Sequence, residues 1–203
     1  MMNAIQTASK YSLFLQRLID NPSFNCDELQ CRISSPISLN DLQNFADWQT
    51  ILSNLDSEAM ARQLRLLRRM VVAQLAVRDL AQLADLSEVV QSMTLFADFA
   101  VNQAADFAHA YYVKFYGDPI GATSGETQRL CIVAMGKMGG GELNVSSDID
   151  LIFTYPESGG TNGKKSRSNQ EFFIKVGQKI INLLNDITAD GQVFRVDMRL
   201  RPD

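Results

Sequence analysis

The chain is poor in the side chains from which metal cages and disulfide frameworks are built. It has one histidine, His109, and three cysteines, Cys26, Cys31 and Cys131. An odd number of cysteines at these spacings outlines no disulfide framework. With a single histidine, a structural zinc site, which usually takes four Cys or His ligands, is not expected. No apolar run approaches the ~20 residues of a membrane span, and the start, with Asn3, Gln6 and Lys10, lacks the basic-then-apolar layout of a secretion signal. Positive charge is also short: 19 Lys and Arg stand against 23 Asp and Glu, a net charge of −4. That is the opposite of the basic footprint of a nucleic-acid binder. Membrane and nucleic acid are therefore not expected as partners, and the expected compartment is the cytoplasm.

What is present is the balance of an ordinary globular protein, 46% apolar and 21% charged over 203 residues, enough for one or two domains with a sizeable core. The first part reads as helices. From Ser57 to Leu86, apolar residues recur at Met60, Leu64, Leu67, Val71 and Leu75, the spacing of one helix face. A second long helix is expected from Ser87 towards Phe115, with His109 in a packing or surface role. Asn40 and Gln43 resemble a capping box opening a helix that carries Phe45 and Trp48. Arg62, Arg65, Arg68 and Arg69 form a basic stripe, for which a solvated face with ion pairs is the expected role.

The composition changes after Phe115. Residues 117–125 are turn-forming and read as a linker. Short apolar runs typical of buried strands follow at 130–135, 149–155 and 193–198. A helix pattern with Phe172, Phe173, Val176, Ile180, Leu183 and Leu184 lies between the last two, and residues 159–168 read as a mobile polar loop. The division is thus a helical region over residues 1–116 and an α/β module over residues 117–203, an α+β chain.

The chemistry concentrates in Met135-Gly-Lys-Met-Gly-Gly-Gly-Glu-Leu-Asn-Val-Ser-Ser-Asp-Ile-Asp-Leu-Ile-Phe153. A strand leads into a glycine-rich turn, and a second strand begins Asp148-Ile-Asp150. Strand alternation sends Asp148 and Asp150 to one face and Ile149, Leu151 and Phe153 to the other. Crowded carboxylates repel unless a cation neutralises them, and hard oxygen ligands suit Mg²⁺, which bridges carboxylates and phosphates. Glycines at 136, 139, 140 and 141 let backbone N–H groups approach an anion. The loop lacks the Lys-Ser or Lys-Thr pair of a Walker A motif. In Phe194-Arg-Val-Asp-Met-Arg-Leu-Arg-Pro202 the same alternation groups Arg195, Asp197, Arg199 and Arg201, a carboxylate flanked by guanidinium groups suited to phosphate.

Gly136 followed by Asp148-Ile-Asp150 and a later strand aspartate resembles the DNA polymerase beta nucleotidyltransferase superfamily, with Lys137 where that turn usually has Ser or Gly. The fuller match, Gly-Lys-Met-Gly-Gly-Gly-Glu-Leu-Asn with Ser-Asp-Ile-Asp and Arg-Val-Asp-Met-Arg-Leu-Arg-Pro, resembles the glutamine synthetase adenylyltransferases and covers roughly residues 60 to 203. Asn144, Arg195 and an early helical region resemble the N-terminal half of that family, which removes AMP. The resemblance implies a polymerase-beta-like module with a short mixed sheet. It also implies Asp148, Asp150 and Asp197 as catalytic residues and Mg²⁺ ligands, and Gly136, Lys137, Ser147, Arg195 and Arg199 on the nucleotide phosphates. The implied reaction is phosphorolysis of adenylylated glutamine synthetase to ADP and free tyrosine, in the control of nitrogen assimilation. Implied partners are glutamine synthetase, the PII signalling protein, ADP or ATP, and phosphate. The alternatives are ATP-dependent adenylylation by the same site, or an inactive binding fragment, since family members continue beyond Arg-Leu-Arg-Pro202 and the module is expected to be truncated on that side.

Overall fold

The computed structural model describes residues 4–197. The chain opens on short helices, α1 (Ala4–Ser9), α2 (Leu13–Ile19), α3 (Cys26–Arg32), α4 (Leu39–Gln43) and α5 (Trp48–Asn54). The last four carry side-chain caps: Ser12, Asn25, Ser38 and Asp47 each accept a backbone N–H three residues on, satisfying donors that a first turn leaves unpaired. The capping box joins Ser38 and Asp41, not Asn40 and Gln43, and it opens α4 alone. Trp48 starts a separate helix because its indole turns back, Nε1–H donating to the Leu42 carbonyl at 3.0 Å.

Two long helices follow, α6 (Ser57–Leu80) and α7 (Leu86–Tyr116). Met60, Leu64, Leu67, Val71 and Leu75 form the buried stripe of α6, as the spacing predicts. The helix ends at Leu80 rather than Leu86. Gln82 turns the chain at φ 58°, and the buried Arg78 guanidinium ties the corner, donating to the carbonyls of Ile33 and Leu83 and to both oxygens of Glu88.

The remainder comprises β1 (Pro119–Gly121), β2 (Cys131–Met135), α8 (Gly136–Gly139), β3 (Ile149–Thr154), β4 (Gly159–Thr161), α9 (Asn169–Asn185) and β5 (Val196–Asp197). Two sequence expectations change here. The stretch 117–125 is no free linker: β1 pairs antiparallel with β4, and the Glu157 carboxylate accepts the N–H groups of Thr123 and Ser124 at 3.0 and 3.1 Å. Residues 159–168 are likewise tied down. Arg167 N–H donates to Thr161 Oγ1, the Ser166 hydroxyl to the Thr161 carbonyl, and Ser168 caps α9 in a box with Glu171. This small sheet is held by backbone ladders and by buried Asn169, whose Nδ2 donates to the carbonyls of Ile120 and Glu157. Neither is written in apolar periodicity.

The second sheet has the order β2-β3-β5, with β2 antiparallel and β5 parallel to β3. Its inner face joins α7 and α9 in a core that runs from Trp48 to Phe194 and includes Phe96, Phe107, Ile149, Leu151, Phe172 and Ile180. A smaller cluster with Ile5, Leu15, Leu29, Met70 and Val77 seats the first helices on α6. His109 packs edge-on against Phe172, their ring centroids 5.6 Å apart. The run 130–135 is not a buried strand. It alternates, with Cys131, Val133 and Met135 exposed and Ile132 and Ala134 half-buried. A continuous apolar run hides that difference, because only the sheet's position decides which side is covered. The architecture is α+β, helices followed by a small mixed sheet. Among the described residues, no helix is long and apolar enough to cross a membrane.

Candidate active site

Asp150 owes its position to its neighbours. Ile149 and Leu151 are fully buried on β3, so alternation turns Asp150 to the outer face of the sheet. β5 then runs parallel alongside, with Ile149 opposite Val196 and Asp150 opposite Asp197. Directly opposed residues share a face, their Cβ atoms about 5 Å apart, so the two aspartates stand side by side. The Ile149 N–H donates to the Arg195 carbonyl at 2.9 Å, which extends the pairing by one step. On the other side Met135 is the register partner of Asp150, and α8 begins at the next residue. The outer face therefore carries Cys131, Val133 and Ile152 leading to a carboxylate-rich end.

The glycine turn is fitted to that end. Gly136 has φ +55°, and a Cβ there would lie 2.5 Å from Asp150 Oδ2, inside any contact distance. Gly139 closes on the strand behind it: its Cβ would meet the Ala134 carbonyl oxygen at 2.4 Å. Lys137 is exposed on α8. Ser147 is half-buried just before Asp148, with its N–H donating to the Asn144 carbonyl at 3.1 Å.

Asp148 departs from the expected arrangement. Its Oδ1 lies 2.5 Å from Arg195 Nη2. Among the described residues, no group of three or more His, Cys, Asp or Glu side chains is placed to hold a metal ion. A guanidinium, that of Arg195, stands here as the counter-charge of Asp148. The donor chemistry still suits a hard cation: Asp150 and Asp197 are adjacent in register, and the backbone at Gly136 closes on one side of them. Arg199 lies outside the described residues.

Several residues that hold the site were not singled out as such in the sequence. Arg68 donates from Nη2 to the Val145 carbonyl at 2.9 Å and stacks over Phe194, 5.3 Å from the ring centroid. It thereby grips both the approach to Asp148 and the approach to Arg195. Burial holds its guanidinium below the ordinary arginine range. Asn185 Oδ1 accepts the Val196 N–H at 3.4 Å, and Thr94 Oγ1 accepts that of Leu143 at 3.2 Å. The signal for Arg68 was present: it lies four residues from both Leu64 and Val72, on the edge of the apolar stripe. Within the basic stripe Arg62 is exposed, and Arg62 and Arg69 pair with Asp190 as expected, but Arg65 is 6% exposed and turned inward.

A family model described as glutamate-ammonia ligase adenylyltransferase matches residues 3–203. Relatives named bifunctional glutamine synthetase adenylyltransferase/adenylyl-removing enzyme share 59% identity over 201 residues in Neisseria meningitidis serogroup B and 53% over 200 residues in Chromobacterium violaceum. The Nitrosomonas eutropha relative shares 48% over 194 residues. These alignments cover 99%, 98% and 95% of this chain but only 22%, 22% and 21% of the relatives. The chain thus spans about a fifth of the length of the curated relatives it matches. The likeness also extends well before residue 60, through the short capped helices.

Proposed function

Since the chain belongs to the glutamate-ammonia ligase adenylyltransferase family, we propose that the end of its sheet around Asp150 and Asp197 is a nucleotidyl-transfer site of the AMP-removing kind. The substrate is glutamine synthetase carrying AMP on a tyrosine, and the second substrate is inorganic phosphate. A phosphate oxygen attacks the adenylyl phosphorus, the bond to the tyrosine oxygen breaks, ADP leaves, and the tyrosine oxygen takes a proton. The observation that carries this reading is the parallel register of Asp150 with Asp197 beside a glycine turn that admits no side chain at position 136.

In this proposal Asp148, Asp150 and Asp197 would hold Mg²⁺, and Arg195, now against Asp148, would turn to the phosphate. When bound, the cation neutralises charge on the reacting phosphoryl oxygens. The chain's own groups do the rest. Lys137 and Ser147 hold the nucleotide phosphate, the turn at Gly136 brings backbone within reach of it, and Arg195 and Arg199 offset charge on the equatorial oxygens. The AMP-removing direction rests on Asn144 and Arg195, and the PII signalling protein as regulator rests on the family likeness alone.

The test is an assay for ADP from adenylylated glutamine synthetase, phosphate and Mg²⁺, run beside unmodified glutamine synthetase with ATP. ADP release that falls about a thousandfold in Asp150→Asn, the scale of losing one preorganised charge-stabilising group, supports the proposal. Adenylyl-tyrosine appearing by mass spectrometry in the second reaction would assign the opposite direction. Neither product would leave a binding module.

A further inference from the structure

α6 presents four arginines, Arg62, Arg65, Arg68 and Arg69, to the turn after α9, and the charge there is unequal. Asp190 is the carboxylate paired with them, 3.6 Å from Arg62 Nε and 3.7 Å from Arg69 Nη2, both long for ion pairs. Among the described residues, Arg65, 6% exposed, donates to a carbonyl alone, that of Asp186, at 3.2 and 3.0 Å. Arg68 donates to the Val145 carbonyl, and its Nε is buried without an acceptor. Carbonyls carry no net charge, and arginine stays protonated in proteins. Among the described residues, the Arg65 guanidinium and the Arg68 Nε are therefore withdrawn from water with no anion paired to them.

These groups border a cavity of about 240 Å³ lined by Arg65, Arg68, Arg69, Asp190, Gln192 and Phe14 among others. At ~30 Å³ per water that is room for roughly eight waters, or for an anion of a few heavy atoms with part of its hydration. We infer that this cavity binds a small doubly charged oxyanion, a phosphate or a dicarboxylate, held by the positive charge of Arg65, Arg68 and Arg69 and by the N–H donors they leave uncommitted. Planar guanidinium forks match either group in paired hydrogen bonds. Asp190 opposes a second negative charge, but it is outnumbered, and its own pairings are long. The site is separate from the carboxylate end of the sheet yet joined to it. Arg68 reaches from the cavity to Val145 and Phe194, so an anion drawing on Arg68 alters the grip on the segments that lead to Asp148 and Arg195. The inference does not depend on the direction of nucleotidyl transfer.

The experiment is a titration of the whole 203-residue chain with inorganic phosphate and, separately, with malonate, followed by ¹H–¹⁵N NMR. Saturable shifts are expected at the Gly191 and Gln192 amides and at Arg68 Nε–H. Arg69→Gln, which removes only a 3.7 Å pairing and so preserves the fold, should weaken binding about tenfold, the scale of one charge-assisted hydrogen bond. Lys137→Gln, at the proposed transfer site, should leave these shifts unchanged, which separates this cavity from phosphate binding there. A stronger response to phosphate assigns a phosphate ligand, and a stronger response to malonate assigns a dicarboxylate. No saturable shift at these positions with either anion, or equal binding by Arg69→Gln, overturns the inference.

Discussion

Asp150 is confined by two backbones, that of β5 through its partner Asp197 and that of the turn at Gly136. The second confinement is the sharper. A methyl at position 136 would collide with the carboxylate and would also force a side-chain residue to φ +55°, which costs about 1 kcal/mol. Gly136→Ala should therefore keep the fold, lower the melting temperature by a few degrees at most, and cut the proposed nucleotidyl transfer about a hundredfold, the cost of moving a reacting group by ~1 Å. Circular dichroism and the ADP assay together check it, and wild-type turnover would show that the turn does not position Asp150. At this scale the sequence was readable where chemistry needs a fixed spacing, as in Asp-x-Asp after a glycine turn. It was silent on the pairing of Asp148 with Arg195, because which counter-charge a carboxylate meets depends on the approach of another strand.

Helices were legible where apolar spacing is long and regular, and their ends were not. The corner between α6 and α7 lies where Arg78 enters the interior, at a position with the same residue type as the exposed Arg62. Arg78 is 5% exposed and satisfies its donors on Glu88, Ile33 and Leu83. Removing it leaves Glu88, whose side chain is 18% exposed, without its cation and two carbonyls without a donor. Arg78→Ala should cost about 3–5 kcal/mol, read as a shifted urea midpoint. Arg62→Ala, at an exposed position, should stay within about 0.5 kcal/mol. Equal midpoints for the two variants would mean that the buried pair contributes nothing net. The sheet of β1 and β4 escaped the sequence reading for a related reason. Three-residue strands of Pro, Ile, Gly and Thr carry no alternation, and their order comes from Glu157, Asn169 and backbone pairing.

Across the whole molecule, the change of composition after Phe115 does not coincide with a break in packing. Phe96 of α7 packs against Phe194, the rings tilted and their centroids 5.4 Å apart, and Tyr112 meets Phe172 edge-on at 6.5 Å. The core around Ile149 and Leu151 is continuous with that of α7. A protein beginning at Gly117 should therefore fail to fold alone, since α9 and the sheet would expose the aromatic face that α7 covers, about 150–250 Å² for each large ring left bare. Dispersed amide resonances and a cooperative melt from such a piece would show that residues 117–203 are self-sufficient.

The sequence by itself determined the α+β order, the two long helices, the inward set of β3 residues and the candidate carboxylates, since each is written in a period or a spacing. Tertiary structure decided the rest. It alone brought β5 against β3 in a register that pairs Asp150 with Asp197, left the outer side of β2 exposed, and buried Arg65 and the Arg68 Nε between α6 and the 189–192 turn. Those outcomes depend on which surfaces meet across long stretches of chain, where a side chain's environment is set by residues far from it in sequence.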